Sequence, residues 1–461
     1  MDGHRRAQLA DGTRGVGHLD FCWSPVCRSP ISLCILGRLP ARDLCHALHP
    51  SDQAEFSPAV SHETINSPAQ LADLCSRLAR ADRIGIDTEF VSEDTFRPEL
   101  CLVQVATEQD LAVIDPYRCG DLTEFWTLLA DGDHVTIVHA AREELNFALN
   151  AVKRQPANLF DSQLAAGFCS PEYPSSYGSV VTRFLSARPA KGEQRTDWRR
   201  RPLTDEQIDY ALEDVRYLLP LCDALQKKLK KLNRLSWLDE EMQRWLAEVQ
   251  ESREHPRWRR VSGVGNLSPR NLAIVRELWM WRRAEAERKN LPPRRVLRDD
   301  LIVELAKRKS DDIERIQAVR GMHRGMKPQM LNELAACIRR GMEASLDDLE
   351  REPRESMPSQ LNVLGQFLSP ALASICRSAN VATSLAGTAT DVRDLIAFRL
   401  GFNGASDDPP LLATGWRAEL VGHLIDDLIG GKKSIRIEDP LSEHPLAFDP
   451  VWGDDTKLES E

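Results

Sequence analysis

The spacing of hydrophobic positions changes twice along the chain. Up to about residue 55 it shows no period. From about Glu63 it becomes regular: Ser67-Pro68-Ala69-Gln70 has the form of a helix start, and Leu71, Leu74, Leu78 and Ala79 then fall at i, i+3, i+7 and i+8 on one helix face. Residues 83–90, 100–106 and 111–114 are short, apolar and partly alternating, with Thr107-Glu108-Gln109-Asp110 as a hairpin turn between the last two. This predicts three antiparallel strands. Residues 135–138 predict a fourth, and Leu145, Ala148 and Leu149 a helix after it. Strands mixed with helices continue to about residue 225. Beyond that point the period of two disappears. Residues 237–254, 269–289, 299–306, 313–319 and 329–342 read as amphipathic helices, and another helical pattern runs from Leu361 to about Gly430. A β-prone stretch at 434–437 and a polar, acidic tail close the chain. The predicted class is an α/β domain followed by all-α helical domains.

A length of 461 residues is consistent with about three domains. At 42% hydrophobic and 28% charged residues, the composition is that of an ordinary globular protein. The longest apolar runs, 31–36 and 111–114, fall far short of the ~20 residues a membrane helix needs. Eleven cysteines are scattered without a Cys-x-x-Cys and in odd number. That fits reduced thiols in a cytoplasmic protein better than a disulfide framework or a zinc ribbon. The net charge of −10 points away from a nucleic-acid partner, but the charge is unevenly spread. Residues 254–343 hold 21 Lys and Arg against 12 Asp and Glu, a local +9 that leaves −19 on the remainder. In that stretch Arg282, Arg283, Arg294, Arg295, Lys307, Arg308 and Lys309 could hold a phosphate backbone with little sequence preference. A second basic cluster, Lys191, Arg195, Arg199, Arg200 and Arg201, could guide a strand toward a site.

The candidate chemistry lies in carboxylates. Asp87-Thr88-Glu89-Phe90 ends an apolar strand, and alternation puts Asp87 and Glu89 on one face with Ile86 and Thr88 on the other. Two carboxylates side by side repel unless a cation lies between them. Thr204-Asp205-Glu206-Gln207 has capping-box spacing, so a helix begins there, and Tyr210 and Asp214, four apart, share one of its faces. Asp214 could join Asp87 and Glu89 around a divalent ion, with the Tyr210 hydroxyl reaching the reacting phosphate. Between these elements Glu143 and Glu144 sit in the first turn of a helix after His139, where acids ordinarily suit the helix dipole; the other reading turns Glu144 toward the ion. Asp161, before Ser162-Gln163, is most simply an N-cap.

Taken in order, Asp87 to Val91, His139 to Leu145, Phe160 to Gln163, Arg195 to Trp198 with Arg201-Pro202-Leu203, and Tyr210 to Asp214 resemble the motifs of the ribonuclease D family of tyrosine-type DEDD 3′-5′ exonucleases. Residues 266–343, with Trp281-Arg282, Asn290-Leu291-Pro292 and Arg320-Gly321-Met322, resemble that family's helical HRDC module, and Gly415-Trp416-Arg417 suggests a second, degenerate copy. The hydrophobic pattern, composition and resemblance together divide the chain into an expected disordered N-terminal extension (1–60), a ribonuclease H-like exonuclease domain (61–230), a helical linker (231–264), an HRDC domain (265–344), a linker (345–360), a second HRDC-like helical unit (361–438) and an acidic tail (439–461).

It also implies two divalent ions, Mg²⁺ or Mn²⁺. Asp87 would bridge them, Glu89 and Asp214 would complete one shell, Glu144 would be the third acid of the set, and Tyr210 would orient the attacking water. Phe90 could stack on the terminal base. The implied substrate is RNA, with tRNA precursors as the class and nucleoside 5′-monophosphates as products; no membrane or obligate protein partner is implied. One departure is Glu144, where the family ordinarily has Asp. Two other readings share these residues: a DNA exonuclease of similar chemistry, and an RNA-binding protein whose catalysis Glu144 has impaired.

Overall fold

Strands β1 (Glu63–Ile65), β2 (Arg83–Val91), β3 (Glu99–Ala106), β4 (Leu111–Ile114), β5 (Val135–Val138) and β6 (Leu159–Asp161) form a sheet in the order β1-β4-β3-β2-β5-β6. The computed structural model describes residues 61–190, 196–255, 257–323, 325–345, 359–402 and 408–451. The expected N-terminal extension, almost all of the expected 345–360 linker, and Lys191 and Arg195 lie outside these residues. As the hydrophobic pattern predicts, β2, β3 and β4 run antiparallel; β1 pairs β4, β5 pairs β2 and β6 pairs β5 in parallel. β1 and β6 have three residues each, too few to display a period of two, and no strand was expected at either.

Helices α1 (Pro68–Leu78), α2 (Pro116–Cys119), α3 (Thr123–Asp131) and α4 (Arg142–Ala151) precede β6; α5 (Ser162–Gly167), α6 (Tyr177–Leu185), α7 (Asp205–Arg216), α8 (Leu218–Lys231) and α9 (Leu235–Glu254) follow it. The two faces of β2 have different tasks. Ile84 and Ile86 join Val103 and Val105 in a core with Leu71 and Leu74 of α1, Phe125 and Trp126 of α3, and Phe147 of α4. On the other face, Leu102 and Val113 pack beneath Ala211 and Leu212 of α7. Gly85 lets α8 come close to the sheet here: a Cβ at this position would lie 3.1 Å from the Leu218 Cβ. The Thr204 hydroxyl accepts from Gln207 N while Gln207 Oε1 accepts from Thr204 N, so the expected capping box fixes the start of α7.

Beyond α9 the chain is helical through α10 (Pro269–Lys289), α11 (Pro293–Val296), α12 (Asp299–Arg308), α13 (Ile313–Gln317) and α14 (Pro328–Glu343), which close their own core around Leu278, Ile302, Leu305, Leu334 and Ile338. Next come α15 (Ser359–Ser378), α16 (Thr383–Ala386), α17 (Ala389–Arg399), α18 (Gly415–Arg417) and α19 (His423–Ile429). Among the described residues, this last group has no separate core. Leu395, Ile396, Trp416 and Val421 share one continuous apolar cluster with Phe168, Leu221 and Leu225 of the α/β part. A buried ion pair reinforces that junction: Arg417 donates to Glu241 of α9 at 2.7 and 2.9 Å, and Trp416 Nε1 donates to the same carboxylate at 3.2 Å. Within the expected acidic tail, β8 (Leu446–Pro450) pairs antiparallel with β7 (Lys433–Ile437). Cross-strand pairing of Ile435 with Phe448 overrides the polar composition there.

Candidate active site

β2 and α7 bring three carboxylates together. Asp87 and Glu89 leave the same face of β2, and Asp214, from the last turns of α7, meets them: one oxygen from each lies within 4.8 Å of the other two. All three residues are half-buried. Burial pushes the Glu89 carboxyl up to about 8, with Asp214 and Glu144 adding repulsion. Asp214 is pushed up to about 6, again mainly by burial, against a hydrogen bond donated by the Tyr210 hydroxyl. Asp87 is raised well above the carboxylate range by burial, then by repulsion from Glu144, Asp214 and Glu89. A cation at their meeting point would relieve both causes. The oxygen-only donor set fits a hard divalent ion.

Tyr210 stays protonated, because burial and the surrounding carboxylates raise its hydroxyl further above the phenol range. Its ring packs 6.2 Å from that of Trp198, which limits how far the hydroxyl can swing.

Glu144 is not part of the three-carboxylate group. It is 5% exposed, and its Oε1 accepts a hydrogen bond of 2.6 Å from the Thr88 hydroxyl. Thr88 points away from Asp87 and Glu89, and the first turn of α4 packs on that side of β2, so the longer glutamate arm is held behind the strand. Its charge still reaches Asp87. Burial raises the Glu144 carboxyl to about 7 despite the Thr88 bond. Thr88→Val is expected to leave this buried carboxyl without its donor and cost roughly 1–3 kcal/mol in urea denaturation. A change below about 0.5 kcal/mol, the range of ordinary surface substitutions, would mean the bond is not made in solution.

Asp161 is the expected N-cap and more. Its carboxylate accepts from Gln163 N and Leu164 N of α5 and also from Ala140 N and Ala141 N, tying together the starts of α4 and α5. His139 bonds Ser162 Oγ and Ser175 O, both at 3.0 Å, and burial lowers its basicity, so it holds the loop rather than facing the carboxylates. Tyr177 drew no attention in the sequence. Burial raises its hydroxyl, which accepts from Tyr217 N and feels both Asp214 and Asp87. No motif in the sequence marks it.

The expected nucleic-acid residues divide. Phe90 is half-buried, and past a register shift between Glu89 and Phe90 its ring makes a T-shaped contact with that of Phe147, centroids 5.9 Å apart. Arg199 is paired with Asp94 and Asp197, and Arg201 with Asp115 and the Cys101 carbonyl, so these two brace the loop before α7. Arg282 is 5% exposed and bonds Asp299 and the Leu297 carbonyl, which makes it a support rather than a surface contact. Arg294 and Arg295 are exposed, and Arg283 lies 5.6 Å over the Trp279 ring. Sequence reading passed over Arg257, Arg260 and Trp279. With Arg282, Arg294 and Asp299 they line an open cavity of about 390 Å³.

A family model described as 3′-5′ exonuclease matches residues 62–230, and one for the HRDC domain matches 271–338. Ribonuclease D of Zymomonas mobilis is 33% identical over 394 residues, covering 82% of this chain and 96% of the relative. Ribonuclease D of Acidiphilium cryptum is 35% identical over 377 residues, covering 80% and 93%. The crystal structure of Escherichia coli RNase D, described as an exoribonuclease involved in structured RNA processing, superposes with a TM-score of 0.69 at 25% identity, covering 80% of this chain and 99% of that one. These exonucleases depend on metal, ribonuclease D acts on RNA, and HRDC domains bind nucleic acid. No helix among the described residues is long and apolar enough to cross a membrane. An α/β exonuclease part carrying the ordered carboxylate motifs, a matching HRDC part and relatives aligned over nearly their whole length have one reading: this chain belongs to the ribonuclease D family and is a 3′-5′ exoribonuclease.

Proposed function

We propose that the enzyme trims the 3′ ends of structured RNA in the cytoplasm, with tRNA precursors as the substrate class, releasing nucleoside 5′-monophosphates with two divalent ions, Mg²⁺ or Mn²⁺. The observation that carries this is the convergence of Asp87, Glu89 and Asp214 beside a protonated tyrosine. Asp87, which feels the charge of all three other acids, is the residue suited to hold both ions. Glu89 and Asp214 would hold one of them with it. When bound, the ions supply a deprotonated water at neutral pH and offset charge on the attacking and leaving oxygens. Tyr210, bonded to Asp214 and protonated, orients the nucleophile by a hydrogen bond. Glu144 contributes negative charge from behind β2, which is compatible with an active enzyme; disabled catalysis has no support in the comparisons. No obligate protein partner enters this reading.

The test is digestion of a 5′-labelled tRNA precursor bearing a 3′ trailer, beside a matched DNA, in Mg²⁺ and in Mn²⁺. Stepwise shortening of the RNA with 5′-monophosphate products is expected. Nucleoside 3′-monophosphates, or equal digestion of the DNA, would contradict it.

Arg257, Arg260 and Arg294 around Trp279 suit a strand held upstream of the reacting end, by backbone charge and base stacking. Replacing both Arg257 and Arg260 with Ala should weaken RNA binding about equally for all sequences and flatten the log–log salt dependence by roughly 1.5–2. An unchanged slope would place the strand elsewhere.

A further inference from the structure

Antiparallel pairing sets Gln104 of β3 directly opposite Asp87 of β2. Residues so paired share a face, with Cβ atoms about 4.5–5.5 Å apart, a gap a glutamine side chain spans. Gln104 is fully buried, and neither its amide nitrogen nor its amide oxygen has a hydrogen-bond partner among the described residues. Its surroundings on this face are apolar. Leu102 and Ala106 flank it along β3, Val113 lies opposite it on β4, and Ala211 and Leu212 of α7 cover Leu102 and Val113. Buried amides are nearly always paired, and an apolar residue of the same size would fill this floor without the desolvation of a primary amide. The polar group across the strand pair is Asp87.

We propose that Gln104 is a positioning residue for Asp87. Its amide N–H donates to the Asp87 carboxylate and fixes that carboxylate's plane when the cluster holds a cation. This rests on the reading of Asp87 as a metal-holding residue. An amide suits the position because it donates without adding charge: a lysine or arginine would compete with the cation, and a glutamate would add a fifth negative charge to an already crowded set.

The test compares wild type with Gln104→Met, of similar length but without donor or acceptor, and Gln104→Leu, in the full chain. Three quantities are read: kcat and KM separately on 5′-labelled RNA, Mn²⁺ affinity by calorimetry in the absence of RNA, and the thermal midpoint without metal. The expected result is a fall in kcat and in Mn²⁺ affinity of about 10- to 100-fold, as for other residues that orient metal ligands, with KM unchanged. The metal-free midpoint should stay level or rise, because an unpaired amide has left the core. Mn²⁺ affinity and kcat within twofold of wild type in either variant that melts no lower than wild type would overturn the inference. Asp87→Asn in the same assays reports on the underlying reading. If it binds Mn²⁺ and digests RNA like wild type, Asp87 does not hold metal, and that failure is distinct from an inert Gln104.

Discussion

Asp87→Asn is expected to reduce turnover by at least about 10³-fold while leaving the chain folded. The carboxylate lies where Glu89, Asp214 and Glu144 all act on it, so on the proposed reading it is the group whose loss would most weaken the hold on a cation. Lewis-acid stabilisation of a phosphoryl transition state is worth several kcal/mol, and each 1.36 kcal/mol is a factor of ten in rate. Asparagine keeps the shape and removes the charge. Without metal, the same substitution should raise the thermal midpoint, because it removes one of several like charges confined to a partly dehydrated site. Single-turnover digestion at saturating RNA, paired with a metal-free melting curve, checks both halves. A loss of activity accompanied by a lower midpoint would indicate damage to the fold instead.

The second large effect concerns the junction between α9 and the C-terminal helices. Glu241→Ala should destabilise the chain by about 3–5 kcal/mol, because it leaves the Arg417 guanidinium, with a side chain 4% exposed, unpaired in the interior. The pair also gives stability a defined pH dependence. Burial alone would raise the Glu241 carboxyl, but hydrogen bonds and charge from Arg244 and Arg417 outweigh it and hold the group down at about 2. A carboxyl depressed on folding contributes stability that is fully present above its unfolded value of about 4.5 and is lost as the pH falls toward 2. The contribution is on the order of 3 kcal/mol. Urea denaturation of wild type between pH 6 and pH 3 should therefore show a decline that Glu241→Gln lacks in part. Parallel profiles for the two would show that the pair does not hold the junction.

The parts of this structure legible in the sequence are those set by local geometry. Alternation along a strand is enough to put Asp87 and Glu89 on one face, helical spacing puts Tyr210 and Asp214 on another, and capping chemistry at Thr204 starts α7 where it does. What lay beyond reach depends on packing between distant segments. Counting charge in residues 254–343 found a basic module but could not tell that Arg282 is buried against Asp299 while Arg257 and Arg260 line a cavity. The Glu144 side chain turns to Thr88 because α4 packs on the back of β2, a three-dimensional relation no motif encodes. The C-terminal helices could be predicted as helices. That they share a core with α8 and α9 rests on contacts such as Arg417 to Glu241, 176 residues apart. The orphaned amide of Gln104 was hidden for the same reason: within β3 it is one polar residue in an apolar strand, and only the pairing register sets it against Asp87.

The central claim is that Asp87, Glu89 and Asp214 form a metal-holding centre that removes nucleotides from RNA 3′ ends. Its most direct test is digestion of one 5′-labelled RNA by wild type and by the triple substitution Asp87→Asn, Glu89→Gln, Asp214→Asn, each stripped of metal and then titrated with Mn²⁺. The account predicts a ladder shortening from the 3′ end that appears only on adding Mn²⁺ and only with wild type. Metal-independent digestion by wild type, or Mn²⁺-dependent digestion by the triple variant, would contradict it.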